Sequence, residues 1–204
     1  MIHFHVLFQT QSEKNKAPKY YLYHCKKFAL PMNFNYAQSL EILERTPHTL
    51  QSMLQGLSPE WTQHNEGENT WNVPDVLGHL VYCDTNNWLK RIKHILAEGE
   101  RAVFPTFDRF GQFQLYKDKE VDELLHLFEQ TRTTTLIELK TLSLVDADFE
   151  KKGLHPEFGV VKLSQLFSTW VVHDLSHLSQ ITRVIAKRYT PDVGPWVQYL
   201  RILK

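Results

Sequence analysis

The stretch "TWVVHDLSHLSQI" (residues 169–181) sets His173 and His177 four residues apart inside an apolar segment. Followed to either side, its stripe reads Leu166, Trp170, His173, His177, Ile181 and Val184, at intervals of 4, 3, 4, 4 and 3, the spacing of one buried face of a helix. Both imidazoles therefore hold seam positions one turn apart, with their rings on the same face. An unpartnered polar group in a core costs about 1–3 kcal/mol. A divalent cation satisfies both rings at once; hydrogen bonds to a neighbouring helix are the structural alternative.

The same period governs the chain on the N-terminal side of this helix. Tyr36, Leu40, Leu43, Pro47, Leu50, Leu54 and Leu57 step by threes and fours, which predicts a first helix kinked at Pro47. "NVPD" opens a second: Asn72 caps, Pro74 fits the first turn where its missing N–H costs nothing, and Asp75 completes a capping-box-like pattern. That helix is expected to run through "VLGHLVYCDTNNWLKRIKHIL" to about Leu96. Residues 98–118, with Pro105, Gly111 and several Phe, form a long connection of the kind that carries function. Val121, Leu124, Leu125, Phe128, Leu136, Leu139 and Leu142 mark a third helix, "KGLHPEFGVVK" reads as a turn-rich link, and Leu163 to about Arg188 forms the fourth. The tail "GPWVQYLRIL" is apolar enough to dock. With no repeat and no alternating strand pattern, the expected fold is all-α, an antiparallel four-helix bundle.

Composition is consistent with a globular domain and removes several function classes. The 204 residues are 42% hydrophobic and 12% aromatic, enough for one core. Lys+Arg and Asp+Glu both number 23, so the overall positive field that favours nucleic acid or anionic membranes is absent. No apolar run approaches the roughly 18–20 residues of a membrane span. Two cysteines, Cys25 and Cys83, make no disulfide framework and no Cys-x-x-Cys pair, so a reducing, cytoplasmic setting is expected.

Residues 1–31 differ from the rest, with five Lys against one Glu and no sustained period, leaving 18 basic and 22 acidic residues to 32–204. A second methionine, Met32, stands at the boundary. The expectation is an N-terminal extension, disordered or not native, with translation starting at Met32 and the bundle domain occupying 32–204.

Two histidines do not complete a site. "HDLSH" is not the His-Glu-x-x-His helix of a zinc protease: Asp174 replaces the general base, and nothing after His177 is a His or Glu. The third ligand must lie upstream, where His48, His64, His79, His94, His126 and His155 compete, and periodicity does not choose among them.

"TWNVPDVLGHLVYCDTNNWLKRIKHIL" (70–96), "HPEFGVVKLSQLFSTWVVHDLSHLSQITRVIAKRY" (155–189) and "VGPWVQYLRIL" (193–203) resemble, in this order, the DinB-like superfamily, which includes the YfiT-type bacillithiol S-transferases and metal-dependent hydrolases. The resemblance spans about residues 33–203. It implies a four-helix bundle, a homodimer and a divalent metal held by three histidines. Carried over, the family's second-helix histidine falls on His79 and its fourth-helix pair on His173 and His177. Asn72 and Asp75 stand where the family often has Ser and Glu, exchanges that keep the capping chemistry. Residues 1–31 have no counterpart in the pattern.

Three neutral imidazoles leave a divalent ion its full charge and positions for water or substrate, lowering the pKa of water toward ~7 and favouring a thiolate over a thiol. Zinc suits a four-coordinate site, nickel a more open one. Two function classes follow. One is a metal-dependent enzyme acting on a small molecule, a hydrolase or an S-transferase with a low-molecular-weight thiol as co-substrate. The other is a non-catalytic metal-binding stress protein, its ion stabilising the bundle or dimer. Asp84 and Asp108 are candidate acids or bases; Asp174, about 100° around the helix from His173, is expected to face away from the metal in a supporting or surface role. Trp170 is expected in the core, and Cys83, one turn from His79, as a buried inert thiol near the site.

Overall fold

The computed structural model describes residues 33–204, so the expectations for residues 1–31 and Met32 lie outside the described residues. In chain order the elements are α1 (Tyr36–Leu54), α2 (Pro59–Thr62), α3 (Val73–Asn86), α4 (Trp88–Glu98), α5 (Gly111–Leu115), α6 (Val121–Thr141), β1 (Lys152–His155), β2 (Gly159–Lys162) and α7 (Leu163–Lys187). Helices α1, α3 with α4, α6 and α7 make a four-helix bundle. None of the described helices is long and apolar enough to cross a membrane.

The order around the bundle differs from the order along the chain. Helix α1 packs on α6 and α7, and α3 packs on the same two, so α1 sits across the bundle from α3, and α6 from α7. Long crossovers at 55–72 and 142–162 make this possible. One consequence is that α3 and α7 become neighbours, although 94 residues separate His79 from His173.

Local sequence explains the helix starts. Asn72 Oδ1 accepts from Asp75 N at 2.9 Å while Asp75 Oδ2 accepts from Asn72 N at 3.1 Å, the reciprocal cap expected of "NVPD". The second helix, however, is not continuous. Asn87, at φ −121° and ψ −72°, breaks it and alone separates α3 from α4. The turn-rich link is also corrected: it is an antiparallel hairpin pairing Lys152 with Lys162 and His155 with Gly159. Periodicity missed it because each strand is only four residues long and half exposed. Gly153 allows the hairpin to lie on the bundle, since a Cβ there would stand 2.7 Å from both Ile95 Cγ1 and Phe104 Cε1. The docked hairpin carries His155, Glu157 and Phe158 over the end of α4.

Two apolar clusters fill the bundle. One gathers Leu43, Trp88, Ile92, Phe149, Phe167 and Trp170; the other Leu50, Leu54, Leu77, Phe128, Ile181 and Val184. Between them lies a buried polar layer centred on Arg132, which is 1% exposed. Its Nε and Nη2 donate to Asp84 at 2.6 and 3.0 Å, Nη1 and Nη2 to Asp174 at 2.6 and 3.2 Å, and Nη1 to the Leu43 carbonyl at 2.8 Å. All five guanidinium donors are thus satisfied, by α1, α3 and α7 together. The Leu43 carbonyl is free to accept because its helical partner would be residue 47, and Pro47 has no N–H. Pro47 therefore supplies an acceptor to the core while α1 continues past it.

Of the tail, Leu203 docks against α7, whereas Trp196 and Tyr199 remain 68% and 75% exposed.

Candidate metal centre

The α3–α7 seam brings three imidazoles together. His79 Nε2 lies 3.1 Å from His173 Nε2, which lies 3.2 Å from His177 Nε2, and one ring nitrogen from each histidine falls within 4.8 Å of the others. Nitrogens bound tetrahedrally at about 2.0–2.1 Å to a zinc ion stand about 3.3 Å apart. The spacing fits a shared cation.

The electrostatics agree. Burial, followed by the neighbouring His177 and His173, pulls the pKa of His79 down to about 3. Burial and His173 pull His177 down to about 4. Both rings are neutral at physiological pH, so each has a lone pair to offer a cation. Each ring also has an oxygen-bearing neighbour on its far side. His177 Nδ1 meets Gln180 Oε1 at 2.8 Å, Gln112 stands beside His79, and Asp174 Oδ1 is 3.9 Å from His173 Nδ1. Gln112 is 2% exposed, and its two polar atoms and His79 Nδ1 are outside strict hydrogen-bond geometry with any described residue. An amide oxygen turned to His79 Nδ1 would fix the tautomer that leaves Nε2 bare.

Aromatic rings wall the centre. Trp71 packs on His79 at 4.9 Å between centroids and lies parallel to His177, and Trp88 meets His173 edge-on at 5.0 Å. Cys83 Sγ is 3.3 Å from His79 Nε2 and 4.0 Å from His173 Nε2, and burial raises its pKa, so it stays a thiol in the absence of metal. Above the histidines opens a cleft of about 430 Å³ between α3–α4, the 106–110 loop and the hairpin.

The other upstream histidines are elsewhere. His48 and His64 are on the surface, His126 bonds Gln130 at 2.9 Å, and His94 holds the Ala102 carbonyl at 3.0 Å. His155 stands at the cleft wall rather than its floor. Neither proton-transfer candidate lines the cleft: Asp84 is bound up by Arg132, and Asp108 is exposed and accepts from Phe110 N at 2.9 Å. Asp174 turns from the Nε2 cluster toward Arg132, as expected of a group facing away from the metal, with Oδ1 behind His173, and it is wholly buried, which excludes the surface role. Trp170 is core, stacked on Trp88 at 5.7 Å. Arg132 went unread in the sequence. Its signal is the gap in the third helix's stripe between Phe128 and Leu136, where Arg132 is four residues from each.

Fold and site together define a class: helical bundles with three histidines gathered from two helices at the floor of a cleft. The family model of the DinB superfamily matches residues 42–181, and the chain belongs to that superfamily. A Bacillus licheniformis protein provisionally named a metal-dependent hydrolase is 30% identical over 148 residues, 68% of this chain and 78% of that one. The structure of YfiT from Bacillus subtilis superposes with a TM-score of 0.62 at 21% identity, covering 74% of this chain and 86% of YfiT, and it is described as a four-helix bundle of unusual topology. That likeness concerns the fold.

Proposed function

We propose that this protein is a metal-dependent enzyme that holds a divalent first-row ion through His79, His173 and His177 and acts on a small molecule in the adjoining cleft. The observation that carries this reading is the convergence of three Nε2 atoms, two of the contacts at 3.1 and 3.2 Å, on the floor of an open cleft. Such an ion supplies a Lewis acid that brings water or a thiol toward its anionic form near neutral pH. The protein's own part is threefold. Burial keeps His79 and His177 neutral, Gln180, Gln112 and Asp174 orient the rings, and Trp71 and Trp88 limit water to the cleft side.

The provisional name of the Bacillus licheniformis relative favours hydrolysis. Transfer to a low-molecular-weight thiol uses the same centre with a different nucleophile. Openness of the centre favours an enzyme over a purely structural ion, which would be enclosed by protein ligands.

The test is elemental analysis of untagged protein beside His79→Ala and His173→Ala, followed by ester and amide hydrolysis and thiol-conjugation assays on the loaded protein. About one ion per chain, absent from both variants, with turnover that disappears on chelation, is the expected result. An ion-free wild type that takes up neither zinc nor nickel overturns the proposal.

A further inference from the structure

His79, Cys83, Asn87 and Arg91 recur every four residues along α3 and α4, and all four line the cleft. The first two belong to its floor. The second two have no part in holding an ion.

Asn87 sits in the break between the helices and is 6% exposed, yet among the described residues its Oδ1 finds no hydrogen-bond partner. That oxygen is sealed from solvent, so the amide nitrogen is the end open to the cleft. Arg91 lies over the Phe104 ring, its guanidinium carbon 5.3 Å from the centroid, and is half-buried. No carboxylate among the described residues pairs with it. The nearby acid, Glu157, is engaged by Arg109 at 3.2 Å. Burial, and after it the like charge of Arg109, lower the pKa of Arg91, and Glu157 offsets them only in part. The contrast with Arg132, whose five donors all find acceptors, is direct.

A third donor completes the wall. His155 Nδ1 accepts from the backbone N–H groups of Glu157 and Phe158 at 3.1 and 3.3 Å, so the ring proton resides on Nε2. A guanidinium and an amide on the α3–α4 wall and an imidazole N–H on the hairpin therefore border the cleft, with the histidine centre at its floor. A guanidinium held over an aromatic ring and free of carboxylate partners can bind an oxyanion through two of its N–H groups.

We infer that Arg91, with Asn87 and His155, forms an anion subsite in the cleft, so that the substrate is a small molecule carrying a carboxylate or phosphate group. The inference rests on the reading of the cleft as a substrate site and names the substrate class; it does not depend on which ion the histidines hold.

The test is calorimetric titration of inorganic phosphate and of succinate into the full-length chain, first metal-free and then zinc-loaded, for the wild type and for Arg91→Gln, Arg91→Lys and Asn87→Asp. The metal-free wild type is expected to bind at least one anion, and the anion that binds identifies the group. Arg91→Gln raises its Kd about tenfold or more, Arg91→Lys by less, and Asn87→Asp raises it by placing a like charge on the wall. Melting temperatures report whether each variant stays folded, and Arg91→Lys keeps the charge should Arg91→Gln unfold. Failure of the wild type to bind either anion, or wild-type binding in folded Arg91→Gln and Asn87→Asp, overturns the inference. Because the first arm contains no metal, a chain that binds phosphate through Arg91 but takes no zinc refutes the metal-dependent function and leaves the subsite standing. A chain that takes zinc but shows no Arg91 dependence does the reverse.

Discussion

His173 and Asp174 are consecutive on α7 and face opposite environments: the imidazole closes on His79 at 3.1 Å, and the carboxylate is clamped by Arg132 at 2.6 Å. Successive residues of a helix project about 100° apart. The ion pair that sets the rotation of α7 about its axis thereby aims His173 and His177 at the cleft.

The Asp84–Arg132–Asp174 layer is predicted to be costly to break and cheap to replace. Arg132→Ala leaves two buried carboxylates and is expected to destabilise by about 3–5 kcal/mol, whereas the triple variant Asp84→Leu, Arg132→Met, Asp174→Leu replaces the charges with apolar groups of similar volume and is expected to be near neutral. Chemical denaturation midpoints of the two proteins decide. If Arg132→Ala unfolds at the wild-type midpoint, the layer is not the buried network described.

Zinc is expected to raise the melting temperature by about 5–10 °C at 100-fold excess over Kd. His79→Ala and His173→Ala lose that response. A rise retained in both variants would place the ion elsewhere.

Gln112→Leu and Gln180→Leu leave the three imidazoles in place but remove the groups behind them. A weakening of metal affinity by about 10–100-fold is expected for each, measured by competition with a chromogenic chelator. Unchanged affinity in both would mean that the far-side amides play no part in orienting the rings.

The metal-free fold is expected to lose stability on acidification. His79, held at about 3, and His177, at about 4, refuse protons that the unfolded chain binds near 6.5. Their contribution is full above about pH 6.5 and declines as pH falls toward 4. Asp84, pushed up to about 6 by burial, acts in the opposite sense, so His79→Leu is needed to isolate the histidine part. Melting temperatures between about pH 7 and 4.5 should fall less steeply in that variant than in the wild type.

Much of the bundle was legible because helix formation and capping are local. The Asn72–Asp75 cap appears at the expected residues, and the seam of α7 does so at Leu166, Trp170, Ile181 and Val184, but Asp174 takes the buried place between Trp170 and Ile181 while His173 and His177 lie beside it, half-buried. The hairpin was not legible, its strands being too short for a period. Nor was the break at Asn87, where the apolar pattern runs on through Trp88, Leu89 and Ile92 although the backbone changes direction.

What the sequence by itself determined is the set of amphipathic helices and the pairing of His173 with His177, because a 3.6-residue period assigns side chains to a face without reference to any other segment. The family resemblance pointed to His79, but only the tertiary structure brings it to that pair, and only there does Arg132 take the carbonyl released by Pro47. Both follow from the order α1–α6–α3–α7 around the bundle. That order is set by how four apolar faces and one buried charge layer fit together, a property that no single helix carries.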